Sequence, residues 1–198
     1  MILLINVLTV ILVFAIAGLY NLNYYRDEID LRLEGDWPMI GDKIIGFTAA
    51  RNAETIWNHL NKGLSFHVIT DSRSARRSSG SQGIENVVDI MTVGGSFSWG
   101  HGLENEQTFS DILGRRLDVN VLNLAFPSYG TVQALKTIEQ NTDLKPRVII
   151  YGFIKDHLRR NLQPCANSYM PSCLPTAFVD FDEQGNAFIH EPLTEYSG

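Results

Sequence analysis

Between Asn86 and Gly152 the chain alternates short apolar runs with amphipathic ones, and few folds accept that order. Val87–Val93 is a strand pattern that stops at Gly94-Gly95. Gln107–Leu117 follows as a helix pattern with Phe109, Ile112, Leu113 and Leu117 on one face. Val119–Ala125 is a second strand. Thr131–Gln140 is a second helix, with Val132, Leu135 and Ile138 turned inward, and Pro146 introduces a third strand, Arg147–Tyr151. Parallel strands need crossover connections, so this order predicts an α/β fold: a parallel sheet with helices on both faces.

The flanks are less regular. Residues 26–50 mix charges with Gly35, Pro38, Gly41 and Gly46 and are expected to be a linker. Ala49–Leu60 carries a helical spacing through Ala53, Ile56, Trp57 and Leu60. Leu64–Thr70 reads as a strand and the Ser-, Arg- and Gly-rich Asp71–Gly83 as a loop, with Arg73, Arg76 and Arg77 as a solvated cluster. Phe178–Phe181 and Ala187–Ile189, around Glu183–Asn186, predict a terminal hairpin.

From Met1 to Tyr20 only Asn6, Thr9 and Gly18 are neither apolar nor aromatic, and none is charged. As a helix, Ile2–Tyr20 would span roughly 28 Å, close to the roughly 30 Å of a bilayer's hydrocarbon core. Tyr20, Tyr24 and Tyr25 suit the headgroup zone. Residues 1–25 are therefore expected to be a single transmembrane anchor, with a cleaved signal peptide as the alternative suggested by Ala15-Ile16-Ala17. Cys165 and Cys173 frame a Pro-rich polar loop and predict a local disulfide, hence an oxidising compartment. The net charge of −6, from 16 basic and 22 acidic residues, offers no basic face for nucleic acid. The expected partner from these features is the membrane, through residues 2–20.

In an open parallel sheet, ligands bind beyond the carboxyl ends of the strands. Three loops should converge there: Gly94–Gly100, Asn123–Gly130 and Gly152–His157. Ser96, after two glycines and a strand, stands where a nucleophile could sit with backbone N–H groups facing an oxyanion. GGSFSWG matches neither the P-loop nor the dinucleotide fingerprint, so no nucleotide, other cofactor or metal is expected.

These loops resemble the blocks of the SGNH (GDSL-type) hydrolase superfamily. Val93–Gly100 is similar to its first block, a strand ending in Gly-Asp-Ser. Asn123–Gln133 (NLAFPSYGTVQ) is similar to the second block, and Arg147–Asp156 (RVIIYGFIKD) to the third. Thr70–Arg76 resembles an N-S-x-G-x-R stretch that precedes the domain in exported members. The resemblance covers roughly residues 68–160. It implies a flavodoxin-like three-layer sandwich over residues 64–198, preceded by a linker and leading helix over 26–63.

The resemblance further implies that Ser96 attacks an ester carbonyl. Its N–H would be one oxyanion donor, Ser128 with nearby Gly130 would supply the second, and Lys155 falls where the family has a donating Asn. Gly95 stands in place of the family's Asp. Asn161 could replace Lys155 only if its loop folds back. The family's C-terminal Asp-x-x-His is missing, since Ile56, Leu64, Ser98, Ile154 and Ala187 stand three residues before the five histidines. Family domains usually run on past this point, so the sequence is expected to continue beyond Gly198. Within it His157 is the best candidate base, its bland alternative being a loop His paired with Asp156, and His190 and the Arg159-Arg160 pair read as surface residues. The expected activity is hydrolysis of O-acyl esters, such as glycan O-acetyl groups, outside the cytoplasm. An acyltransferase of the same fold, or a non-catalytic carbohydrate-binding or assembly protein, shares the same signals.

Overall fold

The computed structural model describes residues 15–16, 31–77, 87–166 and 173–194. Among them, no helix is long and apolar enough to cross a membrane. The expected anchor over residues 2–20 lies, except for Ala15 and Ile16, outside the described residues.

The leading region is built of strands, not of linker and helix. β1 (Leu31–Gly35), β4 (Glu54–His59) and β5 (Leu64–Ile69) form an antiparallel sheet in the order β1-β4-β5. β2 (Met39–Asp42) pairs with β3 (Gly46–Ala49) in a hairpin. The helical reading of Ala49–Leu60 fails because burial there has a period of two: Ala53, Thr55 and Trp57 are buried while Glu54 and Ile56 are exposed. Trp57 stacks on Phe66 of β5, 5.9 Å between ring centroids, a cross-strand pair that helical spacing cannot make. No boundary falls at residues 63–64, since β4 and β5 pair along their whole length.

The predicted parallel sheet is present. β6 (Ile90–Gly94) is central, β7 (Val121–Asn123) on one side and β8 (Val148–Gly152) on the other, giving the order β7-β6-β8. The intervening helices are α1 (Ser96–Trp99), α2 (Phe109–Leu117) and α3 (Thr131–Gln140), followed by α4 (Asp156–Arg160). Side chains alternate along β6, so its two faces have different covers. Met91 and Val93 pack in one cluster with Leu122, Leu124 and Ala134 of α3. Thr92, on the other face, lies 3.0 Å hydroxyl to hydroxyl from Ser110 of α2.

That contact changes the inward face of α2. Ser110 and Asp111 are buried, whereas Phe109 and Leu117 are 39% and 57% exposed. Gly114 allows the close approach, since a methyl group there would lie 3.1 Å from the Val119 carbonyl oxygen. In α3, Val132, Gln133, Ala134 and Thr137 are buried, while Leu135 faces outward.

The hairpin of β11 (Phe178–Phe181) and β12 (Ala187–His190) forms as expected. So does the Cys165–Cys173 disulfide, next to the short pair β9 (Cys165–Ala166) and β10 (Leu174–Pro175). A second core joins the two halves of the chain: Phe47, Trp57, Phe66, Trp99, Phe126, Tyr129 and Leu174 pack together. Tyr129 donates from Oη to the Phe47 carbonyl at 2.8 Å, which ties a post-β7 loop to β3.

Arg76 corrects the expected solvated cluster. It is 2% exposed, while Arg73 pairs with Asp143 at 2.9 Å and Arg77 is exposed. Its guanidinium donates to the carbonyls of Trp99 (3.2 Å), Gly100 (2.7 Å) and Leu103 and to Asn105 Oδ1 (2.9 Å), and lies 4.7 Å from the Trp99 ring centroid. The carbonyls at the end of a helix have no partner within it, so a buried five-donor fork is well matched to the end of α1. Burial pushes its pKa down to about 10, leaving it charged at neutral pH.

Candidate active site

The three loops beyond β6, β7 and β8 do meet. The Phe126 N–H donates to the Gly94 carbonyl at 3.0 Å. The Arg160 guanidinium donates to the Tyr129 carbonyl at 3.0 Å and to Asp156 at 2.6 Å, linking the third loop to the second. Asn123 at the end of β7 donates from its side-chain amide to the Ser98 carbonyl at 3.2 Å. A methyl group on Gly152 would lie 1.9 Å from Ser98 Oγ, so α1 sits directly against the end of β8.

Ser96 is the first residue of α1 and half-buried, and its Oγ has no hydrogen-bond partner among the described residues. Gly95, just before it, leaves little room for a side chain. A methyl group there would lie 3.0 Å from His157 Nε2, 3.1 Å from an Arg160 Nη and 3.2 Å from the Tyr129 carbonyl oxygen. The imidazole and guanidinium therefore fill the volume where the resemblance puts an Asp side chain.

Ser128 is 6% exposed and has φ +71°, a left-handed conformation that glycine adopts without strain and serine does not. Among the described residues its buried Oγ has no partner and its N–H donates to none. A strained residue with unsatisfied polar groups is the kind of feature that collects at ligand sites. Gly130 differs. Its N–H donates to Gln133 Oε1 at 2.8 Å as part of the start of α3, so it is not a free donor.

His157 is wholly buried. Its Nδ1 is 2.7 Å from Tyr151 Oη, which is itself 2.7 Å from Thr131 Oγ1. Its Nε2 is buried with no hydrogen-bond partner among the described residues, so it makes no hydrogen bond to Ser96. Burial, then the positive charge of Arg160, hold its pKa below the usual histidine value, while Asp156 pulls weakly the other way. Asp156 pairs with Arg159 and Arg160 rather than with His157. Its own pKa is lowered, mainly by the hydrogen bond from Arg159.

The other expected positions lie apart. Lys155 is exposed at the start of α4, with no hydrogen bond to the site. Asn161 does fold back, but its Oδ1 accepts from the N–H groups of Thr131 (2.7 Å) and Val132 (3.2 Å), capping α3. His190 stacks on Phe178 in the hairpin, 5.0 Å between centroids. Arg160 is not a surface residue, since its side chain is 18% exposed. Thr131 and Tyr151 were missed as site residues. Their signal was positional: Thr131 begins α3 and Tyr151 is the penultimate residue of β8, both at the sheet edge that carries Ser96. Among the described residues no cluster of His, Cys, Asp and Glu could hold a metal. The chain matches no protein-family model, and a comparison with curated proteins gives no significant match.

Proposed function

We propose that this chain carries a serine ester hydrolase site of SGNH type, on a flavodoxin-like sandwich, acting on O-acyl esters such as O-acetyl groups of a glycan. One observation carries the reading: the turn that bears Ser96 stands beside two buried polar groups, Ser128 Oγ and His157 Nε2, that have no hydrogen-bond partner among the described residues. Ser96 Oγ bonds to the ester carbonyl carbon, and the bond to the alcohol oxygen breaks. The Oγ proton passes through water, or a group outside the described residues, to the departing alkoxide. Water then cleaves the acyl-serine to release the acid, or an acceptor hydroxyl takes the acyl group in a transferase version of the same chemistry. The N–H groups of Ser96 and Ser128 stabilise the oxyanion. The Cys165–Cys173 disulfide supports a compartment outside the cytoplasm, with the apolar residues 2–20 as the membrane anchor.

That no histidine is hydrogen-bonded to Ser96 Oγ among the described residues favours one other reading, a non-catalytic glycan-binding or assembly domain at the membrane. A fluorophosphonate probe separates the two. One adduct on the wild type, lost in Ser96→Ala together with hydrolysis of p-nitrophenyl acetate, is the expected result. No adduct, with full retention of glycan binding, would sink the esterase reading.

A further inference from the structure

We propose that the sheet edge carrying Ser96 is a membrane-contact surface, seated on anionic lipid headgroups, and that the ester it takes is borne on a lipid. The proposal rests on the Ser96 reading for its chemistry and on residues 2–20 as the anchor.

Phe97, directly after Ser96, is 77% exposed, the most of any large apolar side chain among the described residues. Phe153, directly after β8, is exposed as well. Gly152 packs against Ser98 of α1, so the two phenylalanines follow the two sides of one contact. The Phe153 ring stands edge-on to that of His157, 5.7 Å between centroids. Leu158 and Leu162 are exposed one turn apart at α4, where His157 and Arg160 turn inward. Large apolar side chains gathered in water at one place mark an interaction surface.

Charge points to lipid. Residues 152–163 hold three basic side chains, Lys155, Arg159 and Arg160, and one acidic, Asp156, in a chain of net charge −6. Phe and Leu interleaved with Lys and Arg suit a face that lies in the headgroup zone of an anionic bilayer. The hairpin of β11 and β12 makes the contrast. It exposes Phe181 and Phe188 beside Asp180, Asp182 and Glu183, which anionic lipid repels.

The tether points to the same edge. The described chain resumes at Leu31, whose register partner is His59. His59 Nε2 stands 3.0 Å from His101 Nε2, and the His101 N–H donates to the Ser96 carbonyl at 3.0 Å. The chain coming from residues 2–20 thus enters the domain at the corner beside α1, not at the opposite sheet edge, where Val87 and Leu117 are exposed. Residues 21–30 span at most about 36 Å to Leu31, which keeps that corner within about a domain's width of the bilayer.

Single nitroxide labels on the full chain, in vesicles of phosphatidylglycerol and phosphatidylcholine, test the contact. Both native cysteines are in the disulfide, so only an introduced thiol takes the label. Labels at Phe97→Cys and Leu158→Cys should collide more with oxygen than with a water-soluble nickel chelate, and labels at Leu117→Cys and Phe181→Cys the reverse. Water-facing labels at Phe97 and Leu158 overturn the proposal, and so does lipid contact at Leu117 or Phe181 instead. Shielding of Phe97 from both reagents, with dipolar broadening between chains, means that a second copy covers the face and overturns it too. If a Phe97 variant fails to fold by circular dichroism, Leu158→Cys and Phe153→Cys decide. A second arm reads acetate released from cholesteryl acetate in the same vesicles against turnover of dissolved p-nitrophenyl acetate. The double variant Leu158→Ser with Leu162→Ser should lower that ratio by at least about tenfold. An unchanged ratio, or a wild type active only on the dissolved ester, overturns the lipid-borne substrate. Lipid contact at Phe97 and Leu158 without fluorophosphonate labelling refutes the esterase reading and leaves the surface standing. A full chain that stays off the vesicles refutes the anchor, and the proposal falls with it.

Discussion

His157 Nε2 and the α-carbon of Gly95 face each other so closely that a single methyl group on residue 95 would come within 3.0 Å of the ring nitrogen. Gly95→Ala should push the imidazole off Tyr151 or shift α1. Overpacking of this kind costs about 1–3 kcal/mol, and a displacement near 1 Å at the site lowers turnover by up to about a hundredfold. Urea denaturation and p-nitrophenyl acetate kinetics check both. An unchanged midpoint would show that the ring moves aside freely.

Ser128 invites the reverse test. Its φ of +71° and its unpartnered buried Oγ are both relieved in Ser128→Gly, while the backbone N–H remains. The expected result is a gain of about 1 kcal/mol in stability with kcat changed by less than a few-fold. A large loss of activity at unchanged fold would mean that the hydroxyl, not the N–H, serves the site.

Arg76, buried among backbone carbonyls, should be costly to replace. Arg76→Ala strands the carbonyls of Trp99, Gly100 and Leu103, and the expected cost is more than about 3 kcal/mol. Lysine should rescue little, since one ammonium cannot reproduce a planar fork. Thermal unfolding of both variants measures this, and a midpoint within a degree or two of wild type would contradict it.

His101 predicts the acid sensitivity of the fold. Burial first, then the charges of His59 and Arg76, lower its pKa to about 4 against an ordinary 6.5. Between those values the unfolded chain binds the proton and the folded chain does not. Stability is therefore full above pH 6.5 and falls towards pH 4, by up to about 3 kcal/mol from this group. Urea midpoints across that range should show the slope, and His101→Gln should flatten it. A slope unchanged in the variant would assign the effect elsewhere.

The parallel strands and their connecting helices were legible because each has a local pattern: a continuous apolar run, a 3.6-residue spacing, or a glycine at a strand end. The hairpin and the disulfide were legible for similar local reasons. Ser96 and the meeting of three loops followed from strand order alone. The leading sheet was not legible, because Ala53, Ile56, Trp57 and Leu60 fit a helix as well as Thr55 and Trp57 fit a strand. Only the pairing of β4 with β1 and β5 settled which residues turn inward.

The same divide separates the nucleophile from its surroundings. Sequence placed Ser96 at a turn, but it could not say that Arg76 is buried, that Asn161 caps α3, or that His157 meets Tyr151 rather than Asp156. Those facts depend on which hydrogen-bond partners reach a side chain once water is excluded. A residue's own chemistry lists what it can bond, and only the packed chain decides what is left within reach.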